Sequence, residues 1–193
     1  MENNMKFNEE KFKGVVKRYL ELARDGDWEH SLRVVKWVKE LGQGRDDINL
    51  LVIAAYVHDI GWSGMAPQGK IDLEEMIKLE PKVAENSPIL ITKILTEFNF
   101  TDTEIEKVIR LVAAADEHES QQEDEEILVD ADNLSKLCIE HLQQKYQPES
   151  FSKLMDRWDK ELAGRIKTKK GKELLPKLLS ELKLKLVQIE NNS

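Results

Sequence analysis

The stretch Ile48-Asn49-Leu50-Leu51-Val52-Ile53-Ala54-Ala55-Tyr56-Val57-His58-Asp59-Ile60-Gly61 decides how this chain folds. Its near-continuous hydrophobicity predicts a helix that is buried on most sides, and Gly61 closes it. An imidazole and a carboxylate, His58 and Asp59, follow the apolar run directly. Because unpaired polar groups are costly to bury, both side chains need partners inside the fold.

Helical periodicity continues on both sides of this stretch. Apolar residues recur with a period near 3.6, and no convincing period-2 segment bounded by turn signals is present, so we predict an all-α fold. The other predicted helices are Asn8 to Arg24 with Leu22 in its core-facing band, Asp27 to Gly42 with Asp27 as N-cap, Ile71 to Leu79, Ile89 to Phe98 starting at Asn86-Ser87-Pro88, a helix from a Thr101/Glu104 capping box to His118, Ile127 to Tyr146, Glu149 to Ile166 and Gly171 to Ile189.

Composition limits the classes of function. A chain of 193 residues with 40% hydrophobic residues suits one domain, residues 1–193, and its net charge of -8 disfavours binding to duplex nucleic acid. The lone Cys138 excludes a multi-thiolate metal site, so any metal must use His and carboxylate ligands. No apolar run approaches the roughly 20 residues of a membrane span, and Met1 to Lys13 lacks the apolar centre of a secretory signal. We therefore expect a cytoplasmic protein with no membrane partner.

Two of the four histidines fall on apolar helix faces. His30 shares a stripe with Val34 and Val38, and His58 ends the buried helix described above. A lone histidine in such a place is more often a core residue bonded to a carbonyl. The adjacent carboxylate of Asp59 changes that balance, because imidazole and carboxylate together favour a shared cation.

A second acidic signal lies in Ile127-Leu128-Val129-Asp130-Ala131-Asp132-Asn133-Leu134, where two carboxylates interrupt an apolar helix. Buried carboxylates usually have a counterion. Asp130 falls well inside the apolar arc and Asp132 at its edge, and periodicity does not choose between them as a ligand. The alternative is one structural, hydrogen-bonded carboxylate and one at the surface.

Three motifs in order resemble those of the HD superfamily of metal-dependent phosphohydrolases. They are Glu29-His30-Ser31-Leu32-Arg33-Val34, then Ala54-Ala55-Tyr56-Val57-His58-Asp59-Ile60-Gly61, then Asp130-Ala131-Asp132-Asn133-Leu134. The resemblance implies a single helical HD-type domain with a metal-binding core at residues 27–137. Residues 148–193 would form a C-terminal helical extension that packs on the core or on a second copy in a homodimer.

The resemblance also implies the ligand set. It maps metal binding between the core helices onto His30, His58, Asp59 and Asp132, and makes Asp130 a residue that orients a ligand histidine. Mixed imidazole and carboxylate ligands suit a divalent ion, with Mn first and Fe, Co, Ni, Zn or Mg as alternatives. Relatives with two metals use additional histidines, and Ser63 to Lys107 contains none, so we expect one metal. A weak second ion would need Asp59 to bridge, helped by Glu74, Glu75 or His118.

Hydrolysis of a phosphate ester or phosphoanhydride is the implied activity, by attack of a metal-activated water that Asp59 orients. The implied substrate is a small phosphorylated metabolite, with a nucleotide as the best class. Further candidate residues have one functional and one structural interpretation each. Arg33 is either a phosphate clamp or a surface partner of Glu29 or Asp27, and Lys136 is either a phosphate contact or a solvated lysine. His118 is either a general acid near neutral pH or a helix cap. Trp62 is either a nucleobase platform or a packing residue, and His141 is structural or exposed.

A different class of function is a catalytically silent HD-like domain that senses a nucleotide or mediates protein association. Such a domain would be expected to have lost at least one ligand type. This sequence retains all four, which favours the enzyme.

Overall fold

The computed structural model describes residues 8–67, 69–70 and 73–191, and the regular structure within these ranges is entirely helical. The α-helices are α1 (Glu9–Leu20), α2 (Asp27–Leu41), α3 (Ile48–Val57), α4 (Leu73–Glu97), α5 (Asp102–Glu117), α6 (Glu123–Ser135), α7 (Ile139–Lys145), α8 (Phe151–Arg165) and α9 (Lys169–Asn191). Short 3-10 turns occupy Ile60–Trp62 and Pro148–Ser150. The predicted all-α fold is confirmed.

Helix α3 lies at the centre of the main core. Every residue from Leu51 to Val57 is buried, and α2, α5 and α6 pack against the helix. Burial of each large aliphatic side chain contributes roughly 1.5–3 kcal/mol, which holds this short helix in place despite its modest length. Packing on all sides fixes the direction of its carboxyl end, where His58 and Asp59 follow.

The C-terminal helices build a second apolar cluster on the other side of α6. Helix α9 buries Leu175, Leu182 and Leu186 in this cluster, together with residues of α6, α7 and α8. The final helix therefore packs on its own chain. Among the described residues, no helix combines the length and apolar character that crossing a membrane requires.

The α1–α2 junction differs from the prediction. Helix α1 ends at Leu20, so Leu22 is 67% exposed and does not belong to the core band. Gly26, with φ 77°, is the N-cap of α2, whereas Asp27 lies inside the helix with its side chain fully buried. A Cβ at Gly26 would lie 2.7 Å from Gln144 Cβ, so the turn needs a residue without a side chain. The prediction of Asp27 as N-cap was wrong.

Helix α4 runs unbroken through Pro81 and Pro88, and the predicted helix start at Asn86-Ser87-Pro88 was therefore wrong. Val83, Ile91 and Leu95 form one buried stripe that continues across Pro88, so packing holds the helix together despite the missing backbone donor. Of the short helix predicted from Ile71 to Leu79, residues 71 and 72 lie outside the described ranges.

The predicted helix from Ile127 to Tyr146 is two helices, and the first begins earlier, at Glu123. The hydroxyl of Ser135 donates to the carbonyl of Asp132 at 2.8 Å, which competes with the helical hydrogen bond to that carbonyl. Cys138 is extended, with φ -144°. The break turns α7 back toward the amino end of α2, where Lys145 pairs with Asp27.

An ion-pair network near the start of α3 makes the stability of the fold depend on pH. Asp47 accepts hydrogen bonds from Arg45 at 2.8 and 3.0 Å and from Lys107 at 2.9 Å, and the bonds from Arg45 are the main cause that holds the pKa of this carboxyl below its ordinary value. A depressed folded-state pKa stabilises the fold above the unfolded pKa of roughly 3.9, and this contribution is lost as the pH falls below it. Wild type should have a higher melting temperature than Asp47→Asn at pH 6. That difference should shrink between pH 4 and 2.5, and a constant difference across this range would contradict the assignment.

Candidate metal centre

Four side chains from α2, α6 and the end of α3 converge on one buried point. His30 Nε2 lies 3.1 Å from Asp132 Oδ1 and 3.7 Å from Asp59 Oδ2. His58 Nε2 lies 3.6 Å from Asp59 Oδ2 and 3.8 Å from Asp132 Oδ1. All four residues are at most 8% exposed. The structure thus brings together the four residues that the sequence predicts as ligands, and His30, His58 and Asp132 each offer an atom within 4.8 Å of the others.

Hydrogen bonds behind the two imidazoles fix which ring nitrogen faces this point. His58 Nδ1 lies 2.8 Å from the carbonyl of Ala55, which can only accept, so Nδ1 carries the proton. Ser135 gives its single proton to the carbonyl of Asp132 and lies 3.1 Å from His30 Nδ1, so His30 Nδ1 donates to Ser135 Oγ. In the neutral rings both Nε2 lone pairs therefore face the carboxylates.

Charge and burial at this point fit a cation. Burial is the largest of the causes that lower the pKa of His30 to about 3, so this ring is neutral at pH 7. Burial alone would raise the pKa of Asp59 and Asp132, but Arg24 and Lys145 for the first, and Lys136 for the second, hold both well below the ordinary value. Two imidazole lone pairs and two carboxylate oxygens that face one point are a ligand set that suits a divalent cation.

Ser135 gives a prediction about metal affinity. Ser135→Ala removes the acceptor that orients His30, and loss of such a partner typically weakens metal binding by about 10- to 100-fold. We expect this change in the dissociation constant of Mn2+, measured by competition with a fluorescent chelator. Ser31→Ala is the matched control, because Ser31 is also fully buried on α2, beside His30, and its hydroxyl has no hydrogen-bond partner among the described residues. Equal affinities for both variants would show that Ser135 does not orient the ligand.

Gly61 allows α4 to approach this centre. A Cβ on Gly61 would lie 2.5 Å from the carbonyl oxygen of Val83, so a larger residue would push α4 away from the 3-10 turn. Asn86 fastens the same contact by donating to the carbonyl of Gly61 at 2.8 Å. The glycine that follows His58 and Asp59 is therefore required by close backbone packing.

Buried cations surround Asp59. Arg24 NH2 lies 2.7 Å from Asp59 Oδ1, and Lys145 Nζ lies 3.3 Å from Asp59 Oδ2. Both cations also pair with the fully buried Asp27, Arg24 through Nε at 3.1 Å and Lys145 through Nζ. The guanidinium of Arg24 lies 4.1 Å from the centre of the Trp62 ring. Trp62 is 4% exposed and packs against Arg24, as its packing interpretation predicts, and it also lines a cleft over the four residues.

The second oxygen of Asp132 faces other groups. Lys136 Nζ lies 2.6 Å from Asp132 Oδ2, and His118 Nδ1 lies 3.9 Å from it. His118 is the C-cap of α5, with φ 56°. Burial, with the charge of Lys136 next in importance, lowers the pKa of His118 to about 3. The imidazole is neutral at pH 7, which does not match a general acid that titrates near neutrality.

The four convergent residues form the floor of a cleft of about 340 Å3. Its walls come from α4, α5, α6 and α7, and Glu80 faces it rather than Glu74 or Glu75. The polar groups around the floor include Arg24, Asp116, Lys136, His141 and Lys145. A cleft of this size lies at the lower end of the roughly 300–1,000 Å3 range of small-molecule sites.

Comparison with protein families matches the family model described as HD domain to residues 27–137, more than half of the chain. The chain belongs to the HD-domain family. Neither the curated proteins nor the solved structures include a match to it. HD domains are typically metal-dependent phosphohydrolases, and the buried cluster of His30, His58 and Asp132 is compatible with that chemistry.

Two other residues predicted at this HD site lie elsewhere. Asp130 is fully buried but accepts from the backbone N–H groups of Lys167 and Thr168, at 2.9 and 2.8 Å. It fastens the start of α9 to α6 and does not orient a histidine, so that expectation was wrong. Arg33 donates to Gln144 Oε1 at 2.9 Å, and it does not line the cleft. Neither the phosphate clamp nor the surface pairing with Glu29 or Asp27 describes it.

Sequence reasoning missed several groups of the cleft. The sequence indicates only a helix end at Arg24, and it predicts no role for Lys145 or Asp116. His141 was expected to be structural or exposed, and it is 1% exposed and lines the cleft. His141 and Lys145 lie beyond the matched residues 27–137, so the family pattern carries no signal for them.

Proposed function

We propose that this HD domain is a metal-dependent phosphohydrolase that cleaves a phosphate ester or phosphoanhydride of a small nucleotide. One divalent ion would be held by His30, His58, Asp59 and Asp132. The observation that supports this proposal is that each of two imidazole Nε2 atoms lies 3.1 to 3.8 Å from oxygens of both Asp59 and Asp132, at the floor of a cleft.

A divalent ion held by these residues would lower the pKa of a water molecule and polarise a phosphoryl oxygen. Two nitrogen and two oxygen ligands suit Mn2+, with Fe, Co, Ni, Zn or Mg as alternatives, and an ion with five or six coordination positions keeps places for water and substrate. Helices α2, α3 and α6 pack around the ligands, and the cleft that the ligands line gives substrate access to them.

Residues around the metal position would orient the attacking water and offset the charge of the phosphate. Asp59 is held in position by Arg24 on Oδ1, and it accepts a hydrogen bond from the attacking water. Lys136 keeps Asp132 ionised and lines the cleft, so its ammonium group offsets charge on a bound phosphate. Burial and the charge of Lys136 lower the pKa of His118, which argues against a general-acid role for this imidazole at pH 7.

Arg24 and Lys145 favour one metal over two. The first ion would use Asp59 Oδ2, which faces the two imidazoles, so a second ion bridged by Asp59 would need Oδ1, which Arg24 NH2 already contacts at 2.7 Å. Repulsion between a divalent ion and a buried guanidinium is strong at such a distance, and Lys145 adds to it. This supports the mononuclear site expected from the lack of histidines between Ser63 and Lys107.

Metal analysis and a substrate screen test the proposal together. Protein purified without a His tag should contain about one divalent ion per chain by mass spectrometry. After removal of the metal and reconstitution with Mn2+, Co2+ or Ni2+, it should release phosphate or pyrophosphate from at least one nucleotide in a panel of phosphorylated metabolites. Absence of metal at native stoichiometry would reject the site. Metal and nucleotide binding without turnover would instead identify a silent nucleotide-sensing domain.

A further inference from the structure

His141 carries a feature that the proposed metal chemistry does not use. It lies on α7, outside the residues matched by the family model, and lines the cleft while being 1% exposed. Its ring centre is 4.9 Å from that of His30 and 6.0 Å from that of Trp158, so packing against these two rings restricts its orientation. A buried imidazole with a fixed orientation presents its polar atoms in defined directions.

Arg33 determines which nitrogen of His141 carries the proton. The guanidinium NH2 of Arg33 lies 3.4 Å from His141 Nδ1. Arginine can only donate, so His141 Nδ1 accepts and the ring proton lies on Nε2. Gln144 holds the same guanidinium through NH1 at 2.9 Å. Burial, ahead of the charges of His30 and Lys145, lowers the pKa of His141, which agrees with a neutral ring.

The Nε2–H group that results is a buried donor without an acceptor. Within the described residues, His141 Nε2 has no hydrogen-bond partner. Buried polar groups are nearly always paired, and an unpaired one calls for a ligand or solvent partner. The cleft that His141 lines is the route by which such a partner arrives.

The charges around His141 select an anionic acceptor. Lys145 follows His141 by four residues on the same face of α7 and lines the same cleft, as does Lys136. Lys145, Arg33 and Lys136 are the cations that act most strongly on His141. A metal bound at the floor of the cleft would offset the carboxylates of Asp59 and Asp132, with which the two lysines pair. An oxygen that carries negative charge, such as that of a phosphoryl group, fits this position best.

We propose that His141 binds the substrate by donating its Nε2–H to a phosphoryl oxygen in the cleft, and that Arg33 is a positioning residue that fixes this tautomer. This inference rests on the proposed function and adds a phosphate contact to it. Arg33 then supports phosphate binding without touching the phosphate.

Binding of inorganic phosphate to the Mn2+-loaded protein tests the role of His141. His141→Leu should weaken phosphate binding by roughly 10- to 100-fold, because it removes a hydrogen bond to a charged group. His141→Gln should recover most of the affinity, because its side-chain amide supplies an N–H near the position of Nε2. Isothermal titration calorimetry gives the affinities, and metal content and melting temperature are recorded for each variant.

The outcomes separate this inference from the proposed function. Wild-type phosphate affinity in His141→Leu, with one metal bound, would overturn the role of His141 even if the enzyme turns over nucleotides. The opposite result is also informative. If the protein hydrolyses no nucleotide, but phosphate binding is weak in His141→Leu and recovered in His141→Gln, the phosphate contact is supported and the hydrolase activity is rejected. If His141→Leu does not fold, weak phosphate binding by a folded His141→Gln variant would overturn the proposal, since the amide would then fail to replace the ring.

The tautomer gives a readout for Arg33 that a purely structural role would not change. In Zn2+-loaded protein, long-range 1H–15N spectra should show His141 protonated on Nε2 in wild type. In Arg33→Met this signal should shift toward a mixture of tautomers, and the KM for substrate should rise more than kcat falls. An unchanged tautomer in Arg33→Met would remove Arg33 from the proposal.

Discussion

His58→Ala should release the metal and lower kcat/KM by roughly three orders of magnitude or more. The metal supplies several kcal/mol of transition-state stabilisation, and each ~1.4 kcal/mol corresponds to a factor of ten in rate. His58 Nε2 is buried, has no hydrogen-bond partner among the described residues, and faces both carboxylates at 3.6 and 3.8 Å. The residual ligands would be one imidazole and two carboxylates, which bind the ion more weakly.

Val57→Ala is the matched control for His58→Ala. Val57 is the neighbouring residue at the end of α3, is fully buried, and offers no ligand atom. Truncating it creates a small cavity at the same place, with a cost in stability but no loss of a ligand. Metal content by mass spectrometry and nucleotide hydrolysis should stay near the wild-type values in this control. Equal phosphate release by wild type and His58→Ala would reject the assignment of the site.

The local part of the fold could be predicted from the sequence. The capping box of Thr101 and Glu104 is present as predicted, because all of its partners lie within three residues. Helix α3 is buried as its unbroken apolar run indicates. Short-range signals of this kind depend on residues that are already adjacent along the chain.

The choice between Asp130 and Asp132 could not be made from periodicity. Both are buried, at 0% and 4% exposure, and both have partners. The two residues differ in the segment that each contacts. Asp130 contacts the turn before α9, 37 residues later, and Asp132 contacts His30, 102 residues earlier. Only the family resemblance could assign the ligand role to Asp132.

The buried cations that contact Asp59 could not be predicted either, because their partners are also distant along the sequence. Lys145 contacts Asp59 across 86 residues, and its partner Asp27 belongs to a third element. Nothing in the local sequence around Lys145 distinguishes it from the many lysines that face solvent. A buried charge is recognised only once the packing of α7 against the start of α2 is known.

Lys145→Met should lower the free energy of unfolding by about 3–5 kcal/mol, since removing one partner from a buried ion-pair cluster leaves uncompensated charge. Lys145 is 4% exposed and pairs with Asp27, which is fully buried, and with Asp59. Urea denaturation of the metal-free protein measures the change. The control is Lys183→Met, because Lys183 pairs with Asp159 at 2.7 Å while both side chains are about half exposed. That exposed pair should contribute about 1 kcal/mol or less.

The metal should reduce the cost of Lys145→Met, which distinguishes an electrostatic role from simple packing. A divalent ion beside Asp59 replaces part of the positive charge that the variant has lost, so saturating Mn2+ should stabilise Lys145→Met more than it stabilises wild type. Removing a carboxylate as well, in Asp27→Asn/Lys145→Met, should cost less than the sum of the single changes, because these residues share one network. Strict additivity in that double variant, or a loss no larger than that of Lys183→Met, would show that Lys145 does not balance the buried carboxylates. The charge balance around Asp59 would then have to come from Arg24 and the metal alone.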